Sequence, residues 1–263
     1  AADIEAGKNA IPAADLAIIE EAAANIRDFH ERQKEQSWWV PSPGGTMLGQ
    51  IVTPVDAAGC YVPGGRGGET PLISSLLMNA IPAQVAGVPE IAVISPPRPD
   101  GTVNPHILAA ARLLGITEVY AAGSAWAVAA LAYGAGPLRP VDVIAGPGNI
   151  FVATAKRLLI GTVGIDMIAG PSEICVMADD SANPAWVAAD MLSQAEHGPD
   201  SQVVLVTTSS RLADAINGEI KNQLAQLSRR DIAAKALGSS LVILCDSLDE
   251  ACARRHASSQ STD

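Results

Sequence analysis

From residue 91 to residue 244 short, mainly apolar runs alternate with longer amphipathic segments, and this alternation narrows the folds open to the chain more than any other feature. Residues 91–95, 119–122, 141–145, 173–177, 202–207 and 241–245 are predicted strands. Residues 105–114, 125–133, 151–159, 184–197 and about 211–227 are predicted helices. Strands separated by helices pair in parallel, and parallel sheets are covered on both faces. The fold class is therefore α/β. Ahead of this region, Leu16, Ile19, Ala23, Ile26 and His30 fall at steps of three and four, which predicts one helix over 15–34, with Pro12 and Asp15 as start signals. A Gly/Pro-rich passage with Trp38 and Trp39 follows, and 50–54 reads as a strand.

A chain of 263 residues forms one to two domains at roughly 150 residues each. Its net charge of −11 repels phosphate backbones and anionic membrane surfaces, so nucleic acid is not an expected partner. Aromatic residues make up only 3%, which leaves Ala, Val, Ile and Leu to build the core. Residues 119–138 carry no charge and approach a membrane span in length. Gly123, Ser124, Gly134, Gly136 and Pro137 break the stretch, so it reads as buried core and no membrane association is expected. The opening Ala-Ala-Asp-Ile-Glu has no basic region followed by an apolar one, and no signal peptide is read there. Cys60, Cys175, Cys245 and Cys252 lack C-x-x-C spacing, and buried free thiols in a reducing cytoplasm are the expectation.

Glycine clusters punctuate the pattern at 59–68 and at Gly146-Pro-Gly-Asn149, the second lying between a predicted strand and a predicted helix. Backbone amides at such a turn approach an anion unobstructed, and the helix N-terminus adds positive potential. A tight turn with no ligand is the other use of such a cluster, and no G-x-G-x-x-G with a downstream acid is present. Among four histidines, His197 ends a predicted helix three residues after Gln194, so the two side chains leave one face. An imidazole and an amide there suit a metal, or a hydrogen-bonded helix-terminal His; zinc takes three or four protein ligands. Ser172 sits on a tight turn before a strand, where a hydroxyl commonly bonds its own backbone.

Tyr61-Val-Pro-Gly-Gly, Leu77-Met-Asn-Ala-Ile-Pro-Ala, Ala129-Ala-Leu-Ala-Tyr-Gly, Gly146-Pro-Gly-Asn, Ile165-Asp-Met, Ala169-Gly-Pro-Ser-Glu and Ser193-Gln-Ala-Glu-His stand in an order that resembles the histidinol dehydrogenase family. The resemblance runs from the first helix to about Leu244. It implies oxidation of L-histidinol to L-histidine with two NAD+ in succession, through an aldehyde, with one zinc ion per site, as the last step of histidine biosynthesis. It further implies a cytoplasmic homodimer. Carried over by position, it implies that Gln194 and His197 bind zinc and approach the substrate, that Ser172 contacts the substrate, and that Tyr61 and Asn149 contact NAD. In such a site zinc fixes the substrate near the nicotinamide, and each hydride step needs a base.

The chain departs from the family pattern in two places. The family's Gly-Gly-Ala-Gln-Ala is here Gly123-Ser-Ala-Trp-Ala127, where Trp126 either stacks on the cofactor or, as a Trp in an Ala-rich helix more often does, fills the helix–sheet interface. The family's Pro-Glu-His, which supplies acid–base chemistry, is matched only by His256 near the expected place, with Arg255 where the Glu stands. His256 is the candidate catalytic residue or a coincidental match. The expectation is a chain corresponding to the central part of the family, with a polar, disordered tail after Leu248. Its fold is expected to be two incomplete Rossmann-like lobes, one of residues 1–60 plus 178–263 carrying the zinc-ligand motif, the other an insertion over 61–177 on the NAD side. The alternatives are a paralogous NAD-dependent dehydrogenase of another small polar alcohol, such as a sulfonated diol, and a truncated, non-catalytic homologue that binds nucleotide.

Overall fold

A computed structural model describes residues 7, 10–65, 70–168 and 173–258, and the chain divides into two compact units, Ala1–Ala169 and Gly170–Asp263. In the first unit a helix, α1 (Ala13–Glu31), precedes an antiparallel hairpin of β1 (Trp38–Pro41) and β2 (Met47–Gln50). There follow β3 (Ala57–Tyr61), α2 (Ile73–Ala86), β4 (Glu90–Ser95), α3 (Pro105–Leu113), β5 (Glu118–Ala121), α4 (Ser124–Tyr133), β6 (Val143–Ala145), α5 (Ile150–Leu158) and β7 (Gly164–Ile165). The five later strands form one parallel sheet in the order β5-β4-β3-β6-β7. The chain builds outward from β3 in one direction, then returns to the other side of β3 and builds outward again. The order reverses between β3 and β6.

Alternation along the strands sorts the core into two layers. Cys60, Val62 and Val93 pack with Leu76, Ala80 and Ile107 on the face covered by α1, α2 and α3. Tyr61, Ala92 and Ile94 pack with Val128, Leu131, Ile144 and Val152 on the face covered by α4 and α5. The central strand Ala-Ala-Gly-Cys-Tyr is buried throughout, and its first four residues are small because the helices lie close: a Cβ on Gly59 would stand 2.8 Å from Leu131 Cδ2.

The second unit runs β8 (Glu173–Ala178), α6 (Pro184–Ala195), β9 (Gln202–Thr207), α7 (Ser210–Leu224), α8 (Arg230–Gly238), β10 (Leu241–Leu244) and α9 (Leu248–Ser258). Its three strands are parallel in the order β10-β9-β8. Val203 and Leu205 face Ala188, Leu192, Leu212, Ile216 and Ala233, while Val204 and Val206 face Cys245 and Ala251.

The α/β class and the parallel, helix-covered sheets follow the expectation. Several elements differ. Residues 50–54 are not a strand beyond Gln50; the hairpin precedes them and β3 follows. The helix expected over 211–227 is α7, which ends at Leu224, and a further helix with no counterpart in that expectation, α8, follows it at Arg230–Gly238. The tail expected to be disordered forms α9 as far as Ser258. Of the four thiols expected to be buried, Cys60 and Cys245 are, whereas Cys175 and Cys252 are exposed. The uncharged stretch 119–138 supplies β5 and α4, and no helix among the described residues is long and apolar enough to cross a membrane. Within the first unit α1 contacts α2 and α3, and β3 contacts β4, β6, α2 and α4; the discontinuous lobe joining 1–60 to 178–263 stays a proposal.

Candidate functional site

In an open parallel sheet, ligands bind beyond the carboxyl ends of the strands where the strand order reverses, because the helices diverge there and leave a crevice. In the first unit that point lies between the ends of β3 and β6, at Tyr61 and at Gly146-Pro147-Gly148-Asn149. The turn is pressed against the neighbouring strand. Gly146 has φ 122°, and a Cβ there would stand 2.0 Å from the Tyr61 carbonyl oxygen. A Cβ on Gly148 would collide with Val152 at 2.4 Å. Both glycines are therefore required by close approach, and Gly146 by its backbone conformation as well.

Asn149 is the N-cap of α5, its Oδ1 accepting from Phe151 N at 3.1 Å and Val152 N at 3.2 Å. Among the described residues the amides of Gly148, Asn149 and Ile150 donate to no protein group. Exposed Asn149 thus stands at a helix N-terminus with unmet donors, the arrangement expected of an anion-binding turn.

Gly146 is fixed by two residues that sequence reasoning passed over. Lys156 on α5, 3% exposed, donates through Nζ to the Gly146 carbonyl at 2.5 Å and to Asp166 Oδ1 at 2.6 Å. Asp166 Oδ2 accepts from Gly146 N at 2.8 Å. A cavity of about 200 Å³ opens beside them, lined in part by Asn79, Gly148, Val152 and Met167. One signal was available: Val152, Lys156 and Leu159 fall at steps of four and three, so a lysine occupies the buried stripe of α5.

Tyr61 lies at the end of β3 with its ring in the core, 3% exposed, and its hydroxyl accepts from Ser124 N at 3.2 Å. Burial raises its pKa, partly offset by that bond. Ser124 starts α4 in the left-handed region at φ 60°. Trp126, on the first turn of α4, is 81% exposed and does not fill the helix–sheet interface as expected; Ala127, Val128 and Leu131 do.

In the second unit Gln194 lies in the last turn of α6, which ends at Ala195, so His197 falls in the turn beyond the helix rather than on its face. His197 N donates to the Gln194 carbonyl at 3.1 Å, which keeps the two residues in one tight turn. His197 is exposed, and its carbonyl accepts from Arg229 Nη2 at 3.2 Å. Gln194 Nε2 is buried without a hydrogen-bond partner among the described residues. A buried amide group left unmet costs about 1–3 kcal/mol, so a position that retains one is suited to a ligand. As a zinc site, Gln194 and His197 fit in donor type and supply part of the usual set. Among the described residues no group of three His, Cys, Asp or Glu gathers to complete one. Ser172 lies outside the described residues; His256 lies on α9, and its side chain is outside them as well.

Comparison with known proteins covers nearly the whole chain. Residues 1–259 match the model of the histidinol dehydrogenase family. The chain is 64% identical over 244 residues to the histidinol dehydrogenase of Nitratidesulfovibrio vulgaris, covering 92% of this chain and 56% of the relative. To that of Geobacillus kaustophilus it is 56% identical, covering 92% and 57%. The crystal structure of histidinol dehydrogenase from Elizabethkingia anophelis superposes with a TM-score of 0.89 at 41% identity, over 96% of this chain and 58% of that one. The chain thus spans just over half the length of these relatives.

Proposed function

The chain belongs to the histidinol dehydrogenase family, and from that premise we propose that it carries the dinucleotide site and part of the zinc and substrate site of an oxidoreductase that converts L-histidinol to L-histidine. The observation that carries this reading is the reversal of strand order at β3 and β6, which sets Gly146–Asn149 and the N-terminus of α5, with unmet amides, at the mouth of the crevice. The amides of Gly148, Asn149 and Ile150 hold the pyrophosphate of NAD+, and Tyr61 borders the crevice from the end of β3. When bound there, NAD+ would supply the hydride acceptor, one molecule for each of the two oxidations. Gln194 and His197 would hold zinc, which would supply an anchor for the substrate's imidazole and amine. Ser172 contacts the substrate, and His256 is the candidate for the proton taken in each hydride step. The homodimer and the cytoplasmic setting belong to the same proposal.

The cap decides how Asn149 is tested. Asn149→Ala removes the acceptor for two amides, about 1 kcal/mol of helix stability, as well as any cofactor contact. Asn149→Asp keeps the cap and sets a carboxylate against the pyrophosphate. Asn149→Asp should therefore fold with parental stability and bind NAD+ at least tenfold more weakly by titration calorimetry. Parental affinity in that variant overturns the assignment. NADH formation with histidinol and zinc reads the activity. Turnover of another small polar alcohol alone identifies a paralogue, and NAD+ binding without any turnover a non-catalytic homologue.

A further inference from the structure

We propose that Lys156 and Asp166 are positioning residues for the cofactor: together they hold the Gly146-Pro147-Gly148 turn in the one backbone shape that presents its unmet amides to the dinucleotide. The inference deepens the NAD reading above and rests on it.

Three chain segments meet at this pair. Lys156 comes from the second turn of α5, Asp166 from the end of β7, and the turn itself from the end of β6. Both backbone polar groups of Gly146 are used, the carbonyl by Lys156 Nζ and the N–H by Asp166 Oδ2, while Asp166 Oδ1 closes the triangle on Lys156. Gly146 at φ 122° has no regular secondary structure to hold it, so these bonds are its fixings. A buried ion pair is a poor source of net stability, since desolvating both charges offsets most of their attraction. Val152 and Leu159 show what the same helix face accepts when only packing is at stake. A lysine among them, in contact with the turn, fits a demand on backbone shape.

That demand follows from how the site binds. Amides that are already aimed at an anion lose little on binding, whereas a turn free to rotate Gly146 must be ordered first. Lys156 itself does not supply the positive field at the phosphates, because Asp166 neutralises it at 2.6 Å. Positioning and direct charge therefore differ in sign at Asp166. If Lys156 worked by direct attraction, removing the carboxylate would unmask its charge and tighten NAD+; if the pair positions the turn, removing it loosens the turn and weakens NAD+.

The experiment compares the parent chain with Lys156→Met and Asp166→Asn. It uses NAD+ titration calorimetry and amide hydrogen exchange over residues 146–153, with thermal melts to check the fold. Each variant should bind NAD+ roughly tenfold more weakly, and the amides of 148–150 should exchange faster, with the strands β8 and β9 unchanged. Should the buried Lys156→Met fail to fold, Asp166→Asn, at a side chain 29% exposed, carries the test alone. Tighter or equal binding in Asp166→Asn overturns the proposal. If the parent binds no NAD+, the cofactor reading fails and the cofactor role of the pair with it. The exchange data then still report on the turn: unchanged protection shows that the pair does not hold it.

Discussion

Single residues here do work that their type alone does not announce. Asn149 serves the helix before it serves any ligand, since its side-chain oxygen is taken by two amides of α5. Tyr61 sets the start of α4 through Ser124, a strained residue at φ 60°; such strain persists only where the surroundings impose it. The cysteines divide by environment. Burial pushes the Cys60 thiol up to about 12, and Cys245 is also buried, whereas Cys175 and Cys252 are exposed. The thiolate is the reactive form, so the native chain at pH 8 should titrate two thiols rapidly with a disulfide reagent and four after unfolding. A third rapid thiol would contradict the burial of Cys60 or of Cys245.

At the scale of elements, helix ends carry the specific bonds and helix middles carry the core. α7 is started by Ser209, whose Oγ accepts from Leu212 N and donates to Asp180, which also accepts from Arg211 Nη2 at 2.8 Å. Bonds from Arg211 and Ser209 hold the Asp180 carboxyl below its ordinary value of 3.8. A carboxyl with a lowered folded pKa contributes stability that is complete above the unfolded value and is lost as pH falls through the folded one. The parent should therefore lose stability on acidification below roughly pH 4 more steeply than Asp180→Asn, measured as urea midpoints between pH 6 and pH 3. Equal slopes would show that the cap network does not couple to folding.

At the scale of the whole chain, the proposed function divides between two units, with the proposed dinucleotide turn in the first and the Gln194–His197 pair in the second. Zinc affinity is expected to be weak and to fall on acidification, because an imidazole binds metal only when neutral. His197→Ala should lower that affinity at least tenfold by competition with a chelating dye, leaving NAD+ binding unchanged. Unchanged zinc affinity would remove the pair from the metal site. A loss of NAD+ binding would show that the two tasks are not separable.

How much of this was legible before folding depends on the range of the signal. The strands 202–207 and 241–244 and the helices at 105 and 184 were readable, since period and capping are local: Asn104 and Asn183 each precede a proline and cap the helix that follows. The α/β class and the glycine turn at Gly146 follow from the same local grammar. β3 was not legible, although it is the centre of the larger sheet. Ala57-Ala-Gly-Cys-Tyr61 has almost none of the β-branched bulk that marks a strand, because its residues were set by how closely Leu131 must approach. α2 was hidden by Pro82 within it. The sequence by itself determined the class, the order of most elements and the glycine turn. Tertiary structure alone decided that β3 and β6 are neighbours, that Trp126 faces outward, and that Lys156 and Asp166, ten residues apart, close on Gly146. The physical reason is that strand pairing, burial and buried ion pairs depend on which segments meet in space, and a local pattern carries no record of that meeting.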